Sequence, residues 1–175
     1  MNGQYVPSAY AVVPMEDRGY QFADGVYEVI AFFNHKLLDE EPHLVRLERS
    51  LKELHIPQPM DKRALKHIMR EVIRRNPYPH GGIYLQVTRG VAKRDHNFPK
   101  HAIPSVTMSC FGQKTPPKSL VETGCSVITH LEERWKRCDI KTIGLLPNVL
   151  AKQKATEAKA REAILVTENE MVTEA

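Results

Sequence analysis

Lys141 is the side chain best suited to covalent chemistry. The run Arg134-Trp135-Lys136-Arg137-Cys138-Asp139-Ile140-Lys141-Thr142 sets it after other cations and a few apolar residues. A lysine near other cations and partly out of water loses its proton more easily, and an unprotonated amine is what a Schiff-base nucleophile requires. The competing reading is a solvated lysine at a strand end, the commoner fate of the residue. Other chemistries are poorly provided for. The eight histidines show no HExxH or paired ligand spacing, no GxSxG elbow is present, and the three cysteines lack CxxC spacing. Metal and nucleophilic serine or cysteine mechanisms are therefore not expected, and Cys110, Cys125 and Cys138 read as reduced thiols rather than a disulfide framework.

The chain has 175 residues, 42% of them apolar, and a formal net charge of +4. That is enough to bury a core, and the positive excess contains no block of consecutive Lys or Arg of the kind that binds nucleic acid or a membrane. A small anionic ligand suits it better. No apolar run has the length of a membrane span, and Met1-Asn2-Gly3-Gln4-Tyr5 lacks the features of a signal peptide, so a cytoplasmic protein is expected.

The elements that must position Lys141 follow from periodicity. Residues 4–13 look strand-like, and residues 25–33 form a strand that turns at Asn34-His35 into a return over 36–38. Glu41-Pro42 opens a helix with Leu44, Leu47, Leu51 and Leu54 on one face, ending near His55-Ile56-Pro57. Asp61 caps a second helix whose Leu65, Ile68, Met69 and Ile73 share a face, closing at Asn76-Pro77. Strands follow over 83–91 and 105–111. The polar, proline-bearing stretch 112–118 is the expected linker between a small α+β domain at 1–111 and a second domain at 119–175. In that second domain a strand near 125–129, a helix from about 149 to 160, and strands at 163–167 and 171–173 are predicted.

Five blocks of the chain resemble the fold-type IV pyridoxal phosphate enzymes, and they occur in that family's order. They are Asp17-Arg18-Gly19-Tyr20-Gln21-Phe22-Ala23-Asp24-Gly25-Val26-Tyr27-Glu28-Val29, then His43-Leu44-Val45-Arg46-Leu47, then Gln86-Val87-Thr88-Arg89-Gly90 running on to Arg94-Asp95-His96-Asn97-Phe98-Pro99, then the Lys141 segment, and last Glu162-Ala163-Ile164-Leu165-Val166 with Val172-Thr173-Glu174-Ala175. Within the family, Arg94-x-His96 is most similar to the D-amino acid aminotransferases. The branched-chain aminotransferases and aminodeoxychorismate lyase are the alternatives inside the family, and a non-catalytic assembly domain is the alternative outside it.

The resemblance implies an α/β two-domain architecture: a small α+β N-terminal domain, then the start of a larger β-rich cofactor-binding domain. It implies pyridoxal 5'-phosphate as cofactor, held covalently by Lys141, which would also move the proton at the substrate α-carbon. Arg46 would bind the cofactor phosphate, since a guanidinium can bond two of its oxygens at once. Glu174 would face the ring nitrogen and keep it protonated. Tyr27, Arg94 and His96 would hold the substrate carboxylate, with Arg94 and His96 reaching in from the partner subunit of a homodimer. The implied reaction is amino transfer between a D-amino acid such as D-alanine and a 2-oxo acid such as 2-oxoglutarate. The sequence departs from the family pattern in three respects. Ala23 replaces a common glycine, which is mild if the backbone there avoids positive φ. Lys159 and Arg161 stand where small and aromatic residues are usual. The chain also stops inside the family's Thr-Glu-x-Ser-x-Asn stretch, so the second domain is expected to be incomplete.

Overall fold

The computed structural model describes residues 1–174. They form two compact units, residues 1–114 with Asp139–Gly144, and Thr115–Cys138 with the chain from Leu145 onward. The first unit is a four-stranded antiparallel sheet in the order β2-β1-β3-β4, covered by helices. Its elements are α1 (Arg18–Phe22), β1 (Gly25–Phe33), β2 (Lys36–Leu37), α2 (Glu40–Glu53), α3 (Lys62–Arg74), β3 (His80–Thr88) and β4 (Ser105–Gly112).

Strand β1 alternates strictly. Val26, Glu28, Ile30 and Phe32 are buried, while Val29, Ala31 and Phe33 are exposed, the period-2 signature of a sheet covered on one face. Asn34 and His35 both adopt left-handed backbone (φ 47° and 60°), the geometry a two-residue type I′ hairpin demands. Helix α2 tolerates Pro42 because the first turn has no use for its missing N–H. Asp61 caps α3, its carboxylate accepting the Ala64 N–H at 2.8 Å. Leu44, Leu47 and Leu51 of α2 and Leu65, Met69 and Ile73 of α3 close over Val26, Ile30, Ile83, Leu85 and Val87 of the sheet. Each such side chain contributes roughly 1.5–3 kcal/mol by leaving water.

Residues 4–13 do not form the expected strand. Every one of them is exposed, Ser8–Tyr10 makes a single 3-10 turn, and the N–H that reaches β4 is that of Asn2, 2.9 Å from the Val106 carbonyl. Pro7 and Pro14 lack the N–H a ladder requires, which outweighs the strand-like side chains between them. Strand β3 starts at His80 and stops at Thr88, earlier than the expected 91, because Gly90 turns the chain with φ +96°. A Cβ at Gly90 would lie 1.9 Å from the Ile103 carbonyl oxygen, so only glycine fits there.

Ala23 also corrects an expectation. It ends α1 in the left-handed region, with φ 55° and ψ 29°, so the residue that replaces the usual glycine carries backbone strain of about 1 kcal/mol. Ala23→Gly should therefore raise stability by about 0.5–1 kcal/mol, read as a higher denaturant midpoint at unchanged m-value. An unchanged or lower midpoint would mean that the gain in unfolded-chain entropy cancels the relief of strain.

In the second unit, α4 (Lys118–Thr123), β5 (Val127–Leu131), α5 (Leu146–Glu157), β6 (Glu162–Val166) and β7 (Val172–Glu174) build a three-stranded sheet in the order β5-β6-β7, with β5 parallel and β7 antiparallel to β6. Helix α5 sets Ala151 and Ala155 against Ala163 and Leu165, small side chains that allow close helix–sheet approach. It begins at Leu146 with Pro147 in its first turn, where proline is favoured, and it is followed by Lys159 in left-handed backbone (φ 56°).

Candidate active site

Strand β1 pairs with β2 only at Phe32 and Phe33, which leaves the edge at its other end open. The segment Asp139–Gly144 fills that edge. Tyr27 N–H donates to the Lys141 carbonyl at 3.0 Å, Ile143 N–H donates to the Gly25 carbonyl at 3.2 Å, and Val26 bridges Thr142. The Lys141 N–H in turn reaches the buried Ser50 hydroxyl of α2 at 3.3 Å. Arg49, also on α2, donates to the Asp139 carbonyl at 2.7 Å and to its carboxylate at 2.8 Å. Lys141 thus hangs from a segment anchored to both the sheet and a helix.

The side chain of Lys141 is half-buried, with Nζ donating to the Tyr27 hydroxyl at 3.3 Å and lying 4.4 Å from the centre of that ring. Tyr27 stacks on Tyr84 of β3 at 5.6 Å, and the Tyr84 hydroxyl donates to Gln86 at 2.7 Å. Burial pushes the Tyr84 phenol up from its ordinary pKa, with a further contribution from Tyr27. Among the described residues no carboxylate pairs with Lys141. The cations expected beside it, Arg134, Lys136 and Arg137, belong to the other compact unit; within its own unit the amine rests on a phenol.

Arg46 lies one helical turn before Ser50. Its Nε and Nη2 each donate to the Glu28 carboxylate at 2.7 Å, and His43 Nδ1 sits 2.8 Å from the same carboxylate. Glu28 is wholly buried, whereas Arg46 is 45% exposed and its Nη1 makes no hydrogen bond among the described residues. The bidentate bond to Glu28 raises the pKa of the guanidinium; burial lowers it, and the charges of Glu28 and Tyr27 add to the rise. This is a permanent cation held in one orientation with a donor edge to spare, which suits a phosphate.

Arg94 and His96 gather around a different ring. The Arg94 guanidinium lies 4.7 Å above Phe22, and the His96 ring is 5.4 Å from it and tilted. Their loop is fastened by a buried ion cluster. Asp24 accepts from Arg18 Nε at 2.7 Å and from Arg89 Nε and Nη2 at 2.7 and 3.0 Å. Arg18 also donates to the Asp95 carbonyl at 2.5 Å, and the Arg89 guanidinium covers Phe98 at 3.8 Å. Asp17 completes the support, accepting from the Gly19 N–H at 2.8 Å and from the Thr88 hydroxyl at 3.0 Å. Tyr27 with Lys141 and Arg94 with His96 are therefore two separate groups in this unit, with no hydrogen bond or ring contact joining them among the described residues.

Glu174 is half-exposed in the second unit, where it pairs with Arg134. Arg134 also grips Glu132 through Nε and Nη2, and Thr173 donates to the same carboxylate at 2.5 Å. The Arg134 bonds hold the Glu132 carboxyl down at about 2, against the opposing effect of burial. Glu28, Phe22, Asp24, Arg18 and Arg89 stand in the blocks that carry the family resemblance, but sequence reasoning gives them no role. The available signals were a carboxylate in the apolar row of β1 and the recurrence of Arg, Asp and aromatic residues around the turns at 17–24 and 89–98.

A family model described as amino-transferase class IV matches residues 25–175. The chain is 44% identical over 173 residues to a D-alanine aminotransferase of Bacillus licheniformis, covering 99% of this chain and 60% of that protein. It is 39% identical to a D-alanine aminotransferase of Listeria monocytogenes serotype 1/2a (strain 10403S), covering 99% and 61%. Among solved structures, a T.th. branched-chain amino acid aminotransferase complexed with N-(5'-phosphopyridoxyl)-L-glutamate aligns with TM-score 0.86 at 25% identity, over 99% of this chain and 59% of that one. The Escherichia coli branched-chain amino acid aminotransferase aligns with TM-score 0.86 at 20% identity, over 98% and 60%, which speaks to the fold alone. The chain spans about 60% of the length of the curated relatives it matches.

Proposed function

We propose, from the premise that the chain belongs to the class IV aminotransferase family, that it serves transamination between a D-amino acid such as D-alanine and a 2-oxo acid such as 2-oxoglutarate. The observation that carries this reading is the half-buried Lys141 amine, 3.3 Å from the Tyr27 hydroxyl, on a segment fixed to β1 and α2. Pyridoxal 5'-phosphate, when bound, supplies the electron sink that makes the substrate α-carbon acidic. Lys141 would anchor the cofactor, and its amine would carry the proton at the substrate α-carbon. Tyr27 steers the Lys141 amine and offers a hydroxyl to the substrate. Arg46, with Nε and Nη2 engaged by Glu28, turns its remaining edge to the cofactor phosphate. Glu174 serves the ring nitrogen, its carboxylate oriented by the ion pair with Arg134.

Arg94 and His96, braced on Phe22, receive the substrate carboxylate in a homodimer in which each subunit completes the other's site. The D-specific reading is favoured over the branched-chain and lyase alternatives by the Arg94-x-His96 pair and by the 38–44% identity to D-alanine aminotransferases.

The test compares the full-length protein with D-alanine, L-leucine and aminodeoxychorismate as substrates. D-alanine with 2-oxoglutarate should be turned over, and exclusive turnover of either of the others would replace the reading. Within the D-specific reaction, Arg94→Ala should raise the KM for the amino donor by about 10–100-fold with a smaller change in kcat, since a carboxylate clamp contributes binding and orientation together. Donor kinetics equal to wild type would return the loop to a structural role.

A further inference from the structure

The reaction proposed above gives Glu28 no chemical step of its own, yet this carboxylate occupies a position in the core row of β1, between Val26 and Ile30, where an apolar residue would normally stand. A wholly buried carboxylate is costly unless each oxygen is matched by a donor. Here both are: Oε1 takes Arg46 Nε, and Oε2 takes Arg46 Nη2 and faces His43 Nδ1, all at 2.7–2.8 Å. The fork fixes two of the three guanidinium nitrogens and leaves Nη1 as the unbonded donor on a half-exposed side chain. A lone arginine on the surface of α2 would sample many rotamers. This one is held by a group that is itself immobile in a β-strand.

We infer that Glu28 is a positioning residue that aims Arg46 at an anionic phosphate. The inference rests on the pyridoxal phosphate reading of the site. It also connects the two halves of the first unit's chemistry. Glu28 is the neighbour of Tyr27, whose N–H holds the Lys141 carbonyl, and Arg46 is one helical turn from Ser50, which receives the Lys141 N–H. Strand β1 and helix α2 therefore each carry one contact to the nucleophile segment and one partner of the Glu28–Arg46 fork. The separation between amine and anion site is set by a sheet and a helix rather than by a loop.

The sign of one effect separates aiming from simple charge balance. Glu28→Gln removes a negative charge beside the proposed phosphate site. If charge alone mattered, anion affinity would rise. If Glu28 aims Arg46, affinity falls, because the amide offers one acceptor and turns an N–H toward Arg46 or His43.

The experiment measures the Kd of pyridoxal phosphate, by its absorbance change on binding to the full-length protein, together with the rate at which phenylglyoxal modifies Arg46. For Glu28→Gln the expected results are a Kd raised by about tenfold or more and a faster modification of Arg46. A Kd unchanged or lowered, with Arg46 modified at the wild-type rate, overturns the inference. Should Glu28→Gln yield no folded protein, Glu28→Asp carries the same two measurements. It keeps the charge and shortens the reach, and wild-type values in it are equally fatal. Failure of the underlying reading has a different signature, since wild-type protein that takes up no pyridoxal phosphate removes the cofactor, while the Arg46 modification rate still reports whether Glu28 orients it.

Discussion

Lys141→Ala should abolish transamination, with a loss in kcat of about 10⁴-fold or more, because the residue is assigned both the covalent anchoring of the cofactor and the movement of the α-proton. The variant is a clean probe of chemistry, since the segment around it is held by main-chain contacts that the substitution leaves in place. The Lys141 carbonyl still accepts from Tyr27, its N–H still reaches Ser50, and Ile140 remains buried beneath it. The side chain itself gives up one hydrogen bond to a phenol and a ring contact, worth about 1 kcal/mol. Stability should therefore change little while turnover disappears. Borohydride reduction in the presence of pyridoxal phosphate, followed by peptide mapping, should place the adduct on Lys141 in wild type and remove it in the variant. Retained turnover, or an adduct on another lysine such as Lys152, would dismantle the mechanism.

The parts of the first unit that the sequence made legible are those whose partners are close in the chain or repeat with a fixed period. The Asn34-His35 hairpin, the Asp61 cap and the leucine face of α2 each depend on residues within a few positions of one another. Residues 4–13 had equally strand-like composition and failed, because a strand needs a neighbour as well as suitable side chains, and the two prolines withhold donors from one. Helix α1 spans only five residues, less than one and a half turns, so no periodicity announces it.

The candidate site divides along the same line. Lys141, Arg46 and Tyr27 stand in blocks that a family resemblance can match residue by residue, and the structure puts Lys141 on Tyr27. What orients them was not legible. Glu28 and Arg46 are 18 residues apart on different elements, Ser50 and Lys141 are 91 apart, and Asp24 and Arg89 are 65 apart. Nothing in a glutamate flanked by Tyr27 and Val29 says whether it faces water or the guanidinium of Arg46. Nor does composition reveal that Asp139–Gly144, after the polar stretch at 112–118, returns to the first unit to become an extra edge on β1.

Asp24→Asn should be among the most destabilising single substitutions in the first unit, lowering stability by about 3–5 kcal/mol, because it breaks a buried ion cluster from the centre. The guanidinium side chains of Arg18 and Arg89 are 4% and 6% exposed, and the Asp24 carboxylate is the group that neutralises both. Burial alone would raise the pKa of Asp24, yet hydrogen bonds from Arg89 and Arg18, aided by their charges, hold it below the ordinary carboxylate value. A carboxyl whose pKa is depressed by folding adds stability that is present in full above its unfolded value and is lost as pH falls through the folded one. The gap between wild type and Asp24→Asn should accordingly be widest near neutral pH and narrow once the solution is more acidic than an ordinary aspartic acid. Denaturant melts of both proteins at neutral pH and near pH 3 test this, and a neutral-pH difference under 1 kcal/mol would show that solvent reaches the two arginines after all. The consequence extends past stability. Arg18 holds the Asp95 carbonyl and Arg89 lies over Phe98, so the loop that carries Arg94 and His96 should loosen with the cluster. In Asp24→Asn, tryptic cleavage after Lys93 or Arg94 should then accelerate under conditions where the rest of the first unit remains folded.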